Sequence, residues 1–455
     1  MKQNILSFLP VFAAALFGAV SLAPLSACAK SVSIPVSLRV EVDRPVLPAG
    51  STQRAVLKVA LDSVRLPRSE TRPPVNLALV IDRSGSMHGD KIEYAKAAAI
   101  EAVRRLEPDD VFALIAFDHE AETLVPACRV GDRRGLEARI RSIVPRGNTA
   151  IYGGVTQAAA ELRRNLEDRR YTHRMILLSD GLANSGPSRP DDFARLGATF
   201  IREGISVSTV GLGNDYNEDL MTRLARKSDG NTYFVSSSRD LPNIFTTELG
   251  DVLSVIARRV VVTVEFPAQV RPLSFVGREG DIHGQRAEFS LNQLYGGQEK
   301  FALIEVEIAA GGAGEERELA HARVEFEDAL NRRSESIAVR RQVSFSASEA
   351  KVISSADRKV QADYAVNALA VAKDEAIALV DSGKRDQAAR TLRERTKELQ
   401  KMSETYQNTA VGELAAAAAP AAQKMEQDGL SNTERKAYRA EIQQTQSQQS
   451  SAKKY

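Results

Sequence analysis

Apolar residues in this chain fall into successive rhythms. Val32, Ile34, Val36, Leu38, Val40 and Val42 alternate with polar or small neighbours, the period-two pattern of a strand with one buried face. Ala55 to Leu61 predicts a second strand, and Pro45, Pro48 and Gly50 turn the chain between the two. From Val75 the rhythm changes. Val75 to Ile81, Val111 to Phe117, Met175 to Leu178, Ile205 to Val210 and Thr232 to Val235 are near-continuous apolar runs, as parallel strands covered on both faces require. Between the first two, Ile92, Ala95, Ala99, Val103 and Leu106 recur three or four apart and define a helix face. Helical patterns follow over 151–166, 193–201, 219–227 and 241–256. Strands alternating with helices predict a doubly wound, mostly parallel, Rossmann-like α/β sheet over residues 74–257.

Alternation returns over 258–346, in Val260 to Phe266, Phe301 to Ile308, Ala320 to Phe326 and Ser336 to Phe345. The early strands of 31–73 have no other sheet to join. One all-β sandwich assembled from both flanks, with the α/β domain inserted, accounts for both regions. Residues 350–415 read as a helical hairpin turning at Ser382-Gly383. Residues 416–455, Ala-rich and then rich in Gln, Ser and Lys, read as a flexible tail with too little apolar content to bury.

The first 28 residues stand apart. Lys2 precedes an uncharged apolar stretch from Ile5 to Leu25, broken by Pro10 and Pro24, which reads as a signal peptide, with a retained N-terminal anchor as the alternative. It ends in Leu25-Ser26-Ala27-Cys28, which resembles the lipobox of bacterial lipoproteins. The resemblance implies lipidation at Cys28 and, with Ala29 next, sorting to the outer membrane. Ala27-Cys28-Ala29 also offers an ordinary secretion site, leaving a soluble periplasmic form open. Either way the chain is expected to be exported to the cell envelope, touching a membrane only through a lipid anchor.

Composition narrows the field. The 455 residues carry 61 Lys+Arg against 59 Asp+Glu, interspersed, so nothing marks a nucleic-acid binder. There are two cysteines; with Cys28 lipidated or removed, Cys128 has no internal partner, and it is expected to be an inert core or strand residue. The five histidines show no metal spacing, and neither a G-x-S-x-G elbow nor a phosphate loop is present.

The informative chemistry is Asp82-Arg83-Ser84-Gly85-Ser86, between the first buried strand and the first α/β helix. In an open α/β sheet that junction is the ligand edge. Asp82, Ser84 and Ser86 resemble the D-x-S-x-S signature of the metal-ion-dependent adhesion site in von Willebrand factor type A domains. Gly147-Asn148-Thr149-Ala150 is similar to the loop that brings the family's threonine, here Thr149. Leu177-Leu178-Ser179-Asp180-Gly181 is similar to the strand end that brings its second aspartate, here Asp180. Order and spacing agree over about residues 75–257.

Ser, Thr and Asp offer hard oxygen donors without sulfur or imidazole, a set suited to Mg²⁺, with Mn²⁺ or Ca²⁺ also admitted. Two carboxylates leave the ion electrophilic. The resemblance implies that an Asp or Glu of a protein ligand completes its shell and that the protein is a binding module, not an enzyme. A metal-dependent enzyme accessory, or an envelope protein whose metal only stiffens the loops, are the alternatives. A purely structural use of the same residues also exists: Asp82 and Ser84 could cap the helix near Asp90, Thr149 the helix at Ile151, and Asp180 could be a turn residue. His88 and Lys91 read as surface residues.

Overall fold

A computed structural model describes residues 34–65 and 72–449. The leader with Cys28, and residues 450–455 at the end of the tail, lie outside the described residues. In chain order the opening strands are β1 (Val36–Val42), β2 (Val46–Pro48) and β3 (Gln53–Ser63). The α/β region follows with β4 (Val75–Asp82), α1 (Asp90–Arg105), β5 (Val111–Phe117), β6 (Ala121–Arg129), α2 (Arg133–Arg141) and α3 (Ile151–Arg163). It continues through β7 (Thr172–Ser179), α4 (Pro190–Glu203), β8 (Ile205–Leu212), α5 (Glu218–Lys227), β9 (Thr232–Val235) and α6 (Leu241–Val252). Then come β10 (Val255–Glu265), β11 (Val270–Val276), β12 (Asp281–His283), β13 (Arg286–Tyr295), β14 (Glu299–Ile308), β15 (Glu316–Asp328) and β16 (Ser334–Ser346). The helices α7 (Glu349–Ser354), α8 (Arg358–Asp381), α9 (Arg385–Tyr406), α10 (Thr409–Gln427) and α11 (Asn432–Gln446) close the described chain.

The α/β sheet has the order β6-β5-β4-β7-β8-β9, parallel except for β6, which runs antiparallel along β5. Its strands β4, β5, β7 and β8 are buried at every residue, which explains their unbroken apolar runs. One face packs on α1, α2 and α6 and the other on α3, α4 and α5. The chain leaves β4 toward β5 and later returns on its other side as β7, so the switch point lies at the carboxyl end of β4.

The flanking strands meet as expected. β3 pairs antiparallel with β14, Asp62 opposite Glu299 through Gln53 opposite Ile308, in the four-stranded sheet β1-β3-β14-β11. A six-stranded sheet, β12-β13-β10-β15-β16-β2, packs against it. Leu57, Val59 and Leu61 of β3 point into this core with Val260, Val262 and Val264 of β10. The alternate residues of β3 are buried too, because Val56 and Ala60 pack under Tyr364, Ala365 and Ala368 of α8. Lys58 on that outer face is fully buried and ion-pairs with Asp363 and Glu299 at 2.6 and 2.7 Å. The α/β boundary expected at 257 falls inside β10, which already begins at Val255.

Three expectations need correction. The segment 350–415 is not a hairpin: α10 runs on past residue 415, and α8, α9 and α10 form a bundle over the outer face of the four-stranded sheet. Residues 416–449 are not a free tail. Ala418, Ala422 and Met425 of α10 and Ile442 of α11 are buried, small side chains sufficing where helices approach closely. Polar α11 is held by charges as well as by the apolar contacts of Ile442 and Tyr438. Lys436 donates to the Tyr216 carbonyl at 2.7 Å and pairs with Glu218, and Arg435 and Arg439 pair with Asp219 of α5. Finally, Cys128 lies in a strand but not in the core: β6 is an edge strand, and this thiol is exposed. Among the described residues no helix is long and apolar enough to cross a membrane.

Candidate metal centre

Asp82 ends β4 and Ser179 ends β7, which are hydrogen-bonded neighbours, so both reach the same sheet edge. The Asp82 carboxylate is fully buried. Its Oδ1 accepts from the Ser84 amide at 2.7 Å and its Oδ2 from the Ser179 hydroxyl at 2.6 Å. Ser84 and Ser86 Oγ lie 3.0 Å apart, and Ser86 Oγ donates to Asp180 Oδ1 at 2.7 Å. Asp180 Oδ2 is held by the ammonium of Lys91, in the first turn of α1.

Thr149 comes from the loop before α3 and is buried. Its amide donates to Asn184 Oδ1 at 2.8 Å and its carbonyl accepts from the Asn184 amide at 3.2 Å, which ties the Thr149 loop to the loop after β7. A Cβ placed on Gly181 would lie 3.1 Å from Thr149 Oγ1 and 3.6 Å from Ser86 Oγ. The absence of a side chain at residue 181 therefore keeps a small space open between these two hydroxyls.

The loops are fixed to one another. The Arg146 amide donates to the Arg83 carbonyl at 2.7 Å and the Gly85 amide to the Gly147 carbonyl at 3.1 Å. Gly147 has φ 70, a conformation that favours glycine, and a Cβ there, 2.5 Å from His119 Nδ1, would also displace the His119 side chain. Below the loops, buried Asp118 accepts from Arg83 Nε at 2.7 Å and Arg146 Nε at 2.9 Å. Burial pushes the Asp118 carboxyl up, but the bonds from Arg146, the Glu120 amide and Arg83 outweigh it and hold the group below its ordinary value.

Capping does not explain these side chains. Gly89 is the residue before α1 and Ala150 the residue before α3, and neither supplies a side-chain cap; the Ser84 side chain caps nothing either. The structure instead brings Asp82, Ser84, Ser86, Thr149 and Asp180 to one sheet edge. Burial pushes the Asp82 carboxyl up to about 6, with the neighbouring Asp180 charge adding to it against the bonds from Ser179 and Ser84. Two buried carboxylates with hydroxyl oxygens between them form a polar cradle without nitrogen or sulfur donors. That donor set fits a hard divalent cation.

Comparison with known proteins agrees with this fold. The von Willebrand factor type A domain model matches residues 76–247. This part of the chain is a von Willebrand factor type A domain. An uncharacterized protein of Synechocystis sp. is 28% identical over 273 residues, covering 57% of this chain and 63% of that relative. Human inter-alpha-trypsin inhibitor heavy chain H3 is 30% identical over 164 residues, covering 34% of this chain and 18% of its own length. The chain thus spans less than two thirds of either relative. A solved von Willebrand factor type A protein from Catenulispora acidiphila superposes with a TM-score of 0.65 at 17% identity, covering 87% of this chain and 97% of that one. The likeness of fold therefore extends beyond the type A domain into the flanking modules.

Two residues at the site escaped the sequence pattern. Ser179, which buttresses Asp82, lies next to Asp180 at the end of β7, where the motif gives it no role. Lys91 reads in sequence as a surface residue, but its ammonium stands against Asp180. Its place two positions after Gly89, on the first turn of the helix that leaves the D-x-S-x-S loop, is the signal that could have found it.

Proposed function

We propose that this protein is an exported, non-enzymatic binding protein of the bacterial cell envelope whose type A domain grips a protein ligand through a divalent cation, most simply Mg²⁺. Type A domains generally mediate metal-dependent protein–protein interaction, and the observation that carries the reading here is the oxygen cradle itself. Ser84 Oγ, Ser86 Oγ and Asp180 Oδ1 follow one another at 3.0 and 2.7 Å, with Asp82 beneath and Thr149 across Gly181. Asp82, Ser84, Ser86, Thr149 and Asp180 would hold the ion. The ion would supply Lewis acidity toward an oxygen ligand, and a carboxylate of the partner would complete its shell. The protein's own contribution is rigidity: the bonds from Ser179 and the Ser84 amide orient Asp82, and those involving Asn184 orient Thr149. In this reading the leader is cleaved before Cys28, whose lipidation anchors the protein to the outer membrane.

The test is capture of partners from envelope extract by the full chain, with and without EDTA, using wild type and Thr149→Ala. The reading expects proteins retained by the wild type in Mg²⁺ and lost with either treatment. A partner set unchanged by both would overturn it. Palmitate labelling of wild type but not of Cys28→Ser tests the anchor separately.

A further inference from the structure

Asp180 is a carboxylate without solvent exposure, and its two oxygens have different partners. Ser86 donates to Oδ1, and the Lys91 ammonium stands against Oδ2. Among the described residues no other cationic side chain forms an ion pair with Asp180 or with Asp82. The nearby cations Arg83 and Arg146 are both committed to Asp118, one step below the cradle. The cradle thus has two buried carboxylates and a single positive charge of its own.

That charge is not built in as rigidly as the oxygens. Lys91 comes from α1 rather than from the interlocked loops, and its side chain is 33% exposed whereas Asp180 is fully covered. A buried carboxylate without a counter-charge is costly, and a lysine ammonium on a flexible four-carbon stem can compensate it or swing out to water. A divalent ion entering the cradle would bring two positive charges beside the carboxylate that Lys91 already neutralises. The two cations would repel each other and compete for the same oxygen.

We infer that Lys91 is a tethered counter-cation of the metal site: it neutralises Asp180 when no ion is bound, is displaced when a divalent ion arrives, and so sets the affinity for that ion. The inference rests on the metal-binding reading above. It gives the site a ready occupant, so that the loops keep their arrangement without metal, and it weakens ion binding in exchange. Occupancy then follows the external cation concentration rather than being permanent.

The experiment measures Mn²⁺ binding to the full mature chain by electron paramagnetic resonance of the free ion, and thermal unfolding with and without Mg²⁺. The proteins compared are wild type, Lys91→Met, Lys91→Gln, Lys91→Arg and Asp82→Asn. Lys91→Met and Lys91→Gln should bind Mn²⁺ about tenfold more tightly or better, and Lys91→Arg close to wild type, because removing one adjacent charge relieves a like-charge contact. Without metal, Lys91→Met should melt below wild type, and saturating Mg²⁺ should close that gap. Equal or weaker Mn²⁺ binding by both neutral variants would overturn the counter-cation role while leaving the metal site standing. Mn²⁺ binding that is absent from every variant, or unaffected by Asp82→Asn, would overturn the metal reading itself. If one neutral variant fails to fold, the other decides.

Discussion

Arg174 and Glu248 face each other inside the type A domain with neither side chain reaching solvent, Arg174 Nε donating to Glu248 Oε1 at 2.8 Å. Arg174 lies in β7, the strand that delivers Asp180, and Glu248 in α6. Glu248 also accepts from Ser208 Oγ at 2.5 Å and from Asn231 and Tyr233 at 2.9 Å. Burial pushes the Glu248 carboxyl up, but the Arg174 charge and these hydrogen bonds reverse the shift, and the group stays below its ordinary value. Glu248→Ala should cost roughly 3–5 kcal/mol of stability, because it strands a buried guanidinium. Adding Arg174→Met to it should restore part of that loss, a non-additivity that urea unfolding followed by circular dichroism would reveal.

A cation bound in the cradle should stabilise the folded chain by mass action, by about 2.7 kcal/mol at a hundred times its Kd. Gly181→Ala brings a methyl to 3.1 Å from Thr149 Oγ1. It should therefore abolish or sharply reduce the rise in Tm on adding Mg²⁺, with only a small change in the Tm measured in EDTA. Calorimetric scans of both proteins in the two buffers decide the matter; a Mg²⁺-induced rise of full size in Gly181→Ala would count against the placement of the ion.

His173 gives a pH dependence whose sign is fixed. Burial chiefly, with the charges of Arg258 and Arg259, lowers its pKa to about 4. Its Nδ1 lies 3.0 Å from Asn76 Nδ2, an arrangement for neutral imidazole. Unfolded histidine titrates near 6.5, so the unfolded chain binds a proton between about 6.5 and 4 that the folded chain refuses. The stability linked to His173 is complete above pH 6.5 and is lost as pH falls toward 4, by up to about 3 kcal/mol. Between pH 7 and pH 4 the wild type should lose more stability than His173→Gln by about that amount in denaturant titrations. Parallel curves would refute the assignment.

The α/β sheet was legible because its strands are buried on both faces and therefore read as runs, as Leu77 to Ile81 does. The sandwich was legible because Val36, Leu38 and Val40 alternate with half-buried or exposed partners. The oxygen cradle was legible because its residues cluster at three strand ends with fixed spacing. What the chain concealed depends on partners far away in sequence. Lys436 and Arg435 look like solvated charges until Glu218 and Asp219 are placed opposite them, more than 200 residues away. Gln443 and Gln446 are buried although their composition argues against it. Lys91 is an intermediate case: its place beside the D-x-S-x-S loop marks it as near the site, but that it meets Asp180 follows only once β4 and β7 are paired.

The position of α11 has a mechanical consequence. Gln444 Nε2 donates to the Thr232 carbonyl at 3.0 Å and Gln449 Oε1 accepts from the Thr232 amide at 3.1 Å, so two side-chain amides stand in for a neighbour along the outer strand β9. A domain inserted into a host by two linkers can sway about them; this one is also bonded to the sandwich, Asn292 donating to Ser206 and Arg258 to the Tyr171 carbonyl, and is strapped from a further side by α11 and the residues after it. Tension arriving through a gripped ligand would then spread into the sandwich and the helical bundle together instead of loading the linkers alone.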